Sequence, residues 1–237
     1  MESLLRANAK FIKGHESPAG IMVHLESIGR ICHASEDKMG PGSSDKFVRM
    51  LIKLGHESIL EHWSVTVLVT CDRATSHQWV RHRLGAYAQL SQRYVNHTDC
   101  KFMDPEFRSA LDGIRYSAAD LLCGNFGVPD DVRLMYRTYY SGCLQALEAY
   151  RKLREAGAPP EDARAILPNG AATTFYCTFN IRQWRHFFQE RCSPAAQHTI
   201  RAIALELLTD FHEILPACFE DIYQKYCGDK TACPTSS

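Results

Sequence analysis

The sequence predicts an α+β fold with more helix than strand, built as a single domain. Three observations predict it. Residues 63–71 (WSVTVLVTC) alternate and are β-branched, the signature of a strand, and 172–180 (ATTFYCTFN) read the same way. Several other segments place apolar residues at helical spacing, the longest over 130–156. The chain has 237 residues, 45% of them hydrophobic, enough for one domain with a real core, and its composition shows no clean boundary.

In order, residues 19–34 and 43–54 read as amphipathic helices, the second with a serine cap at its start and Gly55 as its stop. The strand at 63–71 follows, then a helix over 73–83 and an extended segment from Gln89 to Tyr94. Asp, Pro, Gly and Asn are scattered through 96–130, which marks an insertion or long loop. The helix over 130–156 is ended by Gly157, Pro159 and Pro160, and a short helix over 160–167 is stopped by Pro168. The strand at 172–180 and helices at 181–190 and 194–226 complete a domain spanning 1–227, and 228–237 (GDKTACPTSS) form a flexible tail.

Charge narrows the function. Basic and acidic residues balance at 27 each, which argues against nucleic acid as a partner, because such binding needs a basic footprint. A small phosphorylated ligand needs only a few local arginines. Arginine outnumbers lysine about two to one, and its planar fork suits phosphate and carboxylate. The ten cysteines form no C-x-x-C pair, residues 1–17 contain no apolar core of a signal peptide, and no apolar run reaches the ~18 residues of a membrane span. A cytoplasmic protein with reduced thiols and no membrane partner is expected.

The most informative segment is Gln78-Trp79-Val80-Arg81-His82-Arg83. On a helix Gln78, Arg81 and His82 share one face. Consecutive cationic side chains repel one another and are tolerated where an anion or water lies between them. A solvated helix end is the plain alternative. A little further on, Leu90-Ser91-Gln92-Arg93-Tyr94, if extended, points Ser91 and Arg93 to one side, where a hydroxyl and a guanidinium make a phosphate cradle. An exposed strand with outward polar residues is the alternative there.

Other chemistries find less support. His56, Glu57, Glu61 and His62 occur in neither of the zinc-binding helical orders, H-E-x-x-H or H-x-x-E-H, so no metal site is assigned. There is no G-x-S-x-G nucleophile elbow and no Gly-rich dinucleotide or P-loop fingerprint. Cys192, beside Arg191, reads as a core or bystander thiol.

Arg81-His82-Arg83, seven residues, Ser91, and then Gln92-Arg93-Tyr94 resembles the signature of the flavin-dependent thymidylate synthases, R-H-R-x7-S with R-Y close behind. Gly55-His56-Glu57-Ser58-Ile59-Leu60-Glu61-His62 is similar to that family's segment before its first long strand. Ala163-Arg164-Ala165-Ile166-Leu167-Pro168 resembles its A-R-x-x-L-P segment, and Asn180-Ile181-Arg182 and Arg191 resemble its flavin-contacting and uracil-contacting positions. The resemblance covers roughly 43–94 and 159–222.

The resemblance implies helices packed around a central, mainly antiparallel sheet, and FAD-dependent methylation of uracil C5 in dUMP. Methylenetetrahydrofolate would give the carbon and NADPH the electrons, in a homotetramer whose sites form between subunits. It implies Arg191 as the catalytic residue, facing the uracil. It implies Gln78, Arg81, Gln89, Leu90, Ser91, Gln92, Arg93 and Arg164 as nucleotide ligands. On the flavin side it implies His56, Ser58, Glu61, Arg81, His82, Arg83, Leu84, Gln89, Asn180, Arg182 and His186, with His56, Ser58 and Glu61 facing flavin or folate.

The chain also departs from the pattern. The signature usually reads R-H-R-x-x-S-x-N-E-x-S-x-R, and Ala86, Ala88 and Gln89 stand here for Ser, Asn and Glu. Ala196-Gln197-His198-Thr199-Ile200 replaces A-Q-W-E-I, and Ala195 stands where a histidine is common. These changes bear on the sugar or the carbon donor. Methylation of UMP, as in nucleoside-antibiotic pathways, and a non-catalytic homologue that binds flavin or nucleotide are therefore the alternatives to dUMP methylation.

Overall fold

The structure is a computed structural model and describes residues 4–11, 17–123 and 127–228. The tail expected at 228–237 lies, apart from Gly228, outside the described residues. The first half of the chain carries β1 (Leu4–Leu5), β2 (Asn8–Phe11), α1 (Pro18–Ile31), α2 (Ser43–Lys53), a 3₁₀ helix at Glu57–His62, β3 (Ser64–Asp72), α3 (Arg73–Trp79), β4 (Ala86–Gln89), β5 (Phe102–Met103), β6 (Phe107–Arg108), β7 (Arg115–Tyr116) and α4 (Ala118–Leu122). The second half carries α5 (Asp130–Glu155), α6 (Pro160–Ala163), a 3₁₀ turn at Arg164–Ile166, β8 (Ala172–Asn180), α7 (Ile181–Arg191), α8 (His198–Ile214) and α9 (Pro216–Cys227). The class is α+β with a mainly antiparallel sheet, as the sequence predicts.

The main sheet has four strands in the order β2-β3-β8-β4. The two long strands run antiparallel: Thr66 pairs its hydroxyl with Thr178 at 2.9 Å and Thr70 with Thr174 at 3.1 Å, so one number rises as the other falls. On β3 the alternate residues Val65, Val67, Val69 and Cys71 are buried, and on β8 Thr173, Phe175, Cys177 and Phe179. This is the period of two that made both strands legible.

The chain divides into two compact units. One holds the described residues up to Asn8, Thr70–Trp79 and Gln89–Phe175. Its spine is α5, which buries Val132 and Tyr136 with Ala118 and Val128, and Cys143 and Leu147 with Phe102 and Ala171. The segment expected as an insertion or long loop is folded onto this spine. It carries β5, β6, β7 and α4, and the buried Asp104 ties it together. The Asp104 carboxylate accepts the Tyr136 hydroxyl, the Ala118 N–H at 2.7 Å and the Glu106 N–H at 3.0 Å. Strands of two residues have no readable period, which is why composition alone suggested a loop.

The other unit holds Ala9–Val69, Val80–Ala88 and the chain from Tyr176 on. Its core is aromatic. Trp184, Phe188, Phe211 and Phe219 are fully buried, with Trp184 and Phe211 ring centroids 5.0 Å apart and Phe211 and Phe219 5.2 Å apart. The helix expected over 194–226 is two helices. Leu215 leaves the helical region (φ −131°, ψ 63°), and Pro216, which could not donate inside a continuous helix, sits at the start of α9.

Two further expectations are corrected. The helix expected over 73–83 ends at Trp79, so Gln78, Arg81 and His82 do not share a helical face. The extended segment expected from Gln89 to Tyr94 lies earlier, as β4, and residues 92–94 form a turn. Packing against β8 sets both limits. Gly85 lies so close to β8 that a Cβ there would come within 2.1 Å of the Phe179 ring and 2.9 Å of the Thr178 carbonyl oxygen. Gly85→Ala is therefore expected to cost about 1–3 kcal/mol through overpacking against backbone as well as ring. Denaturant unfolding measures it, and an unshifted midpoint would contradict this packing.

Candidate active site

The second unit contains a cavity of about 920 Å³, a volume suited to a cofactor-sized ligand. Its walls come from three stretches far apart in sequence: the 3₁₀ helix with Glu57 and Glu61, the segment Arg81–Leu84, and α7 with its preceding Asn180. Helix α7 is firmly seated. The Asn180 side chain caps it by accepting the Gln183 N–H at 2.8 Å, the Ile181 N–H donates to the Trp63 carbonyl at 2.9 Å, and the Trp184 indole N–H donates to the Val65 carbonyl at 3.1 Å.

His82 sits at the inner end of the cavity and is only 6% exposed. Its ring makes edge contact with Phe187 (centroids 5.0 Å apart) and His186 (5.8 Å). The Arg191 Nε–H donates to His82 Nε2 at 2.9 Å, and Gln183 Nε2 lies 3.5 Å from His82 Nδ1. The Tyr87 hydroxyl donates to the His82 carbonyl at 2.7 Å, which fixes the backbone of the same residue. Burial, then the charges of Arg191 and His186, push the His82 pKa down to about 4. The imidazole is neutral at pH 7 and accepts from a guanidinium.

That depression has a stability consequence. Between about pH 6.5, where an unfolded histidine gains its proton, and about pH 4, where folded His82 does, only the unfolded chain is protonated at this site. Stability from His82 is complete above that window and is lost as pH falls through it, by something on the order of 2–3 kcal/mol. His82→Gln is expected to flatten that part of the pH–stability curve. An identical slope in both proteins would contradict the assignment.

The cavity's charges divide into paired and unpaired. Arg185 is buried and fully engaged: its guanidinium donates to Glu57, to both Asp221 oxygens at 2.8 and 2.7 Å, and to the Cys218 carbonyl. Burial alone would lower the Arg185 pKa, but Asp221 and Glu57 outweigh it and hold it above the usual value. Arg182 is half-exposed and donates to Glu61 at 2.5 Å. Arg81 and Arg83 are exposed and make no side-chain hydrogen bond or ion pair among the described residues. They are the cations with capacity for an anionic ligand.

The structure thus brings Glu61, Arg81, His82, Arg83, Leu84, Asn180, Arg182, His186 and Arg191 to one cavity. His56 and Ser58 are exposed and do not line it. Sequence reasoning missed Gln183 and Arg185. Their roles depend on His82 and on Glu57 and Asp221, which are remote in sequence. Cys192, at the C-terminal cap of α7, is fully buried, and burial pushes its thiol well up, as for an inert core cysteine.

The remaining candidates lie in the first unit. Arg93 and Arg164 converge on one residue: Arg93 Nε donates to the Glu161 carboxylate at 2.6 Å and Arg164 Nε to the Glu161 carbonyl at 3.0 Å. Arg73, which the sequence did not single out, has its pKa lowered by burial and then by the charge of Arg164. Ser91 and Arg93 do not present the shared extended face expected of them. Ser91 Oγ accepts the Arg93 N–H at 3.1 Å and closes a turn, keeping its own O–H to donate. Gln78 is half-buried on α3 and Gln92 half-buried in the turn. Gln89 donates from Nε2 to Ser76 and Thr173, both at 3.1 Å. Leu90 lines a smaller cavity of about 270 Å³ with His97 and Thr173.

A cavity bearing unpaired arginines and ending on a neutral imidazole–guanidinium pair has the charge to receive an anionic ligand. Comparison with known proteins makes the class specific. A family model described as thymidylate synthase complementing protein matches residues 21–217. A flavin-dependent thymidylate synthase of Geobacter sulfurreducens is 36% identical over 199 residues, covering 81% of this chain and 78% of the relative. Proteins of the same description from Mycobacterium tuberculosis and Mycolicibacterium gilvum are each 33% identical, covering 90% of this chain and 84% of theirs. The chain belongs to the thymidylate synthase complementing protein family.

Proposed function

We propose that this chain is an FAD-dependent enzyme that methylates uracil C5 of dUMP to form dTMP, taking the carbon from methylenetetrahydrofolate and electrons from NADPH. The observation that carries this reading is the Arg191–His82 contact at the inner end of a cavity whose rim holds Arg81 and Arg83. The residues fit a flavin: unpaired guanidiniums suit its diphosphate, and the volume of about 920 Å³ is ample for its ring system. Arg81, Arg83, Leu84, Asn180, Arg182 and His186 would hold it, with Glu61 orienting Arg182. FAD, when bound, supplies the hydride that reduces the transferred one-carbon unit to methyl.

The chain's own residues do the rest. Arg191 stabilises the negative charge that gathers on the pyrimidine as C5 becomes nucleophilic. His82, being neutral, adds no competing charge beside it. Gln78, Arg81, Gln89, Leu90, Ser91, Gln92, Arg93 and Arg164 serve the nucleotide, the serine donating its O–H and the arginines their forks to phosphate. His56 and Ser58 serve flavin or folate. The active form is a homotetramer in which these roles are met from more than one subunit, and native mass spectrometry tests that.

Anaerobic titration with NADPH tests the redox half of the reading. Bound FAD is expected to bleach and to recolour when methylenetetrahydrofolate and dUMP are added. Yellow protein that never bleaches would make this a non-catalytic flavin-binding relative. Gln89 supports one second reading. As an amide it donates to Ser76 and Thr173 and leaves a carbonyl, not a carboxylate, for a sugar hydroxyl. Methylation of UMP would suit that change, and steady-state turnover on the two nucleotides decides it.

A further inference from the structure

We propose that His82 and Gln183 are positioning residues for Arg191: the imidazole holds the guanidinium by its Nε–H, and the Gln183 amide fixes the tautomer that lets it do so. The proposal rests on reading Arg191 as the group that faces the pyrimidine. It gives His82 a role beyond flavin contact and adds Gln183, a residue that no motif singled out.

Geometry leads to it. An arginine Nε–H can only donate, so at 2.9 Å His82 Nε2 must present a lone pair. A neutral imidazole with a lone pair on Nε2 carries its hydrogen on Nδ1. The group near Nδ1, at 3.5 Å, is Gln183 Nε2, and because an amide nitrogen cannot accept, the side-chain amide must be turned over, its oxygen taking the place of Nε2, to accept that hydrogen. His82 and Gln183 are each 6% exposed, so water does not readily substitute for either contact. Gln183, Phe187 and Arg191 recur at four-residue spacing along α7, so one face of one helix supplies the tautomer-setting amide, the ring contact and the positioned guanidinium.

The groups that act most on the imidazole favour its neutral form, although the cavity also holds the carboxylates Glu57, Glu61 and Glu190, the first two of which are engaged by Arg185 and Arg182. From α7, Arg191 and His186 face it, and either would repel an imidazolium. The neighbouring Arg81 and Arg83 add positive charge, and Tyr87 from β4 donates to the His82 carbonyl instead of to the ring. Protonation would place an N–H on Nε2 against the Arg191 Nε–H and release the guanidinium.

Two measurements test this. In wild-type protein labelled with ¹⁵N-histidine, the His82 signal, assigned by its loss in His82→Gln, is expected to show an unprotonated Nε2 and a protonated Nδ1 at pH 7. An Nε2–H tautomer or an imidazolium would overturn the proposal. In Gln183→Glu a carboxylate faces Nδ1–H and stabilises the imidazolium. Its kcat is expected to fall at least about tenfold between pH 8 and pH 6, where wild type holds steady, with flavin content unchanged. A Gln183→Glu pH profile matching wild type would overturn the proposal, because a purely structural amide would not move it. Wild-type protein that makes no methylated nucleotide would sink the enzymatic reading instead, and the tautomer spectrum would still judge the pair.

Discussion

Replacing Arg191 by alanine is expected to lower kcat by about 10²–10³-fold, the scale of losing one preorganised donor aimed at developing negative charge. The protein should remain folded and yellow. Arg191 lies in the last turn of α7 and is partly exposed, and the helix is anchored by Asn180, Ile181 and Trp184 at its other end. Arg191→Lys should not restore the rate. Lysine carries the charge, but as a flexible point donor it cannot meet His82 Nε2 and keep a planar fork for the pyrimidine. Single-turnover rates, with flavin content measured in the same samples, check this. A kcat within tenfold of wild type in Arg191→Ala would remove this residue from the chemistry.

Arg185→Met is expected to do the reverse. It should cost about 2–3 kcal/mol of stability, toward or below the lower end for breaking a buried ion pair because its partners are partly solvated. The side chain is 3% exposed, while Glu57 is 24% and Asp221 53% exposed. Methionine fills much of the volume but leaves both carboxylates and the Cys218 carbonyl without their donor. For a chain of this size the melting temperature should drop by roughly 5–10 °C. Glu57 stands at the start of the 3₁₀ helix on the cavity wall, so flavin affinity should weaken with it. Calorimetry measures the loss, and an unchanged melting temperature would show that the cluster around Arg185 does not brace the site. The two arginines lie on one helix, yet one is expected to govern rate and the other stability.

That division was only half legible in the sequence. Arg191 could be named because a motif carries it, and the Arg81-His82-Arg83 triplet because adjacent cations are conspicuous. Arg185 and Gln183 could not, because what defines them is contact with Asp221, Glu57 and His82 across more than thirty residues of chain. The long strands and helices were legible for local reasons. The period of two on β3 and β8 and the period near four on α2 and α5 survive folding unchanged. The ends were less so. Helix α3 stops at Trp79 although the sequence could continue it, because the next turns are pulled onto β8 by the burial of His82 and the close approach of Gly85 to Phe179. The same pull moves the extended segment back to β4 and leaves Ser91 to Tyr94 in a turn. Pro216 marks the break in the last helical run, whose apolar spacing continues on both sides of it.

On the function proposed above, the cavity around His82 and Arg191 serves a methyl transfer to a uridine nucleotide. The most direct test mixes the purified protein anaerobically with FAD, NADPH, methylenetetrahydrofolate and either dUMP or UMP, and weighs the nucleotide afterwards. With wild type, dUMP is expected to gain the mass of one methyl group, and with Arg191→Ala almost none. A product from UMP alone would move the enzyme to the second reading of Gln89. No gain on either nucleotide, with FAD bound and reduced, would contradict the account.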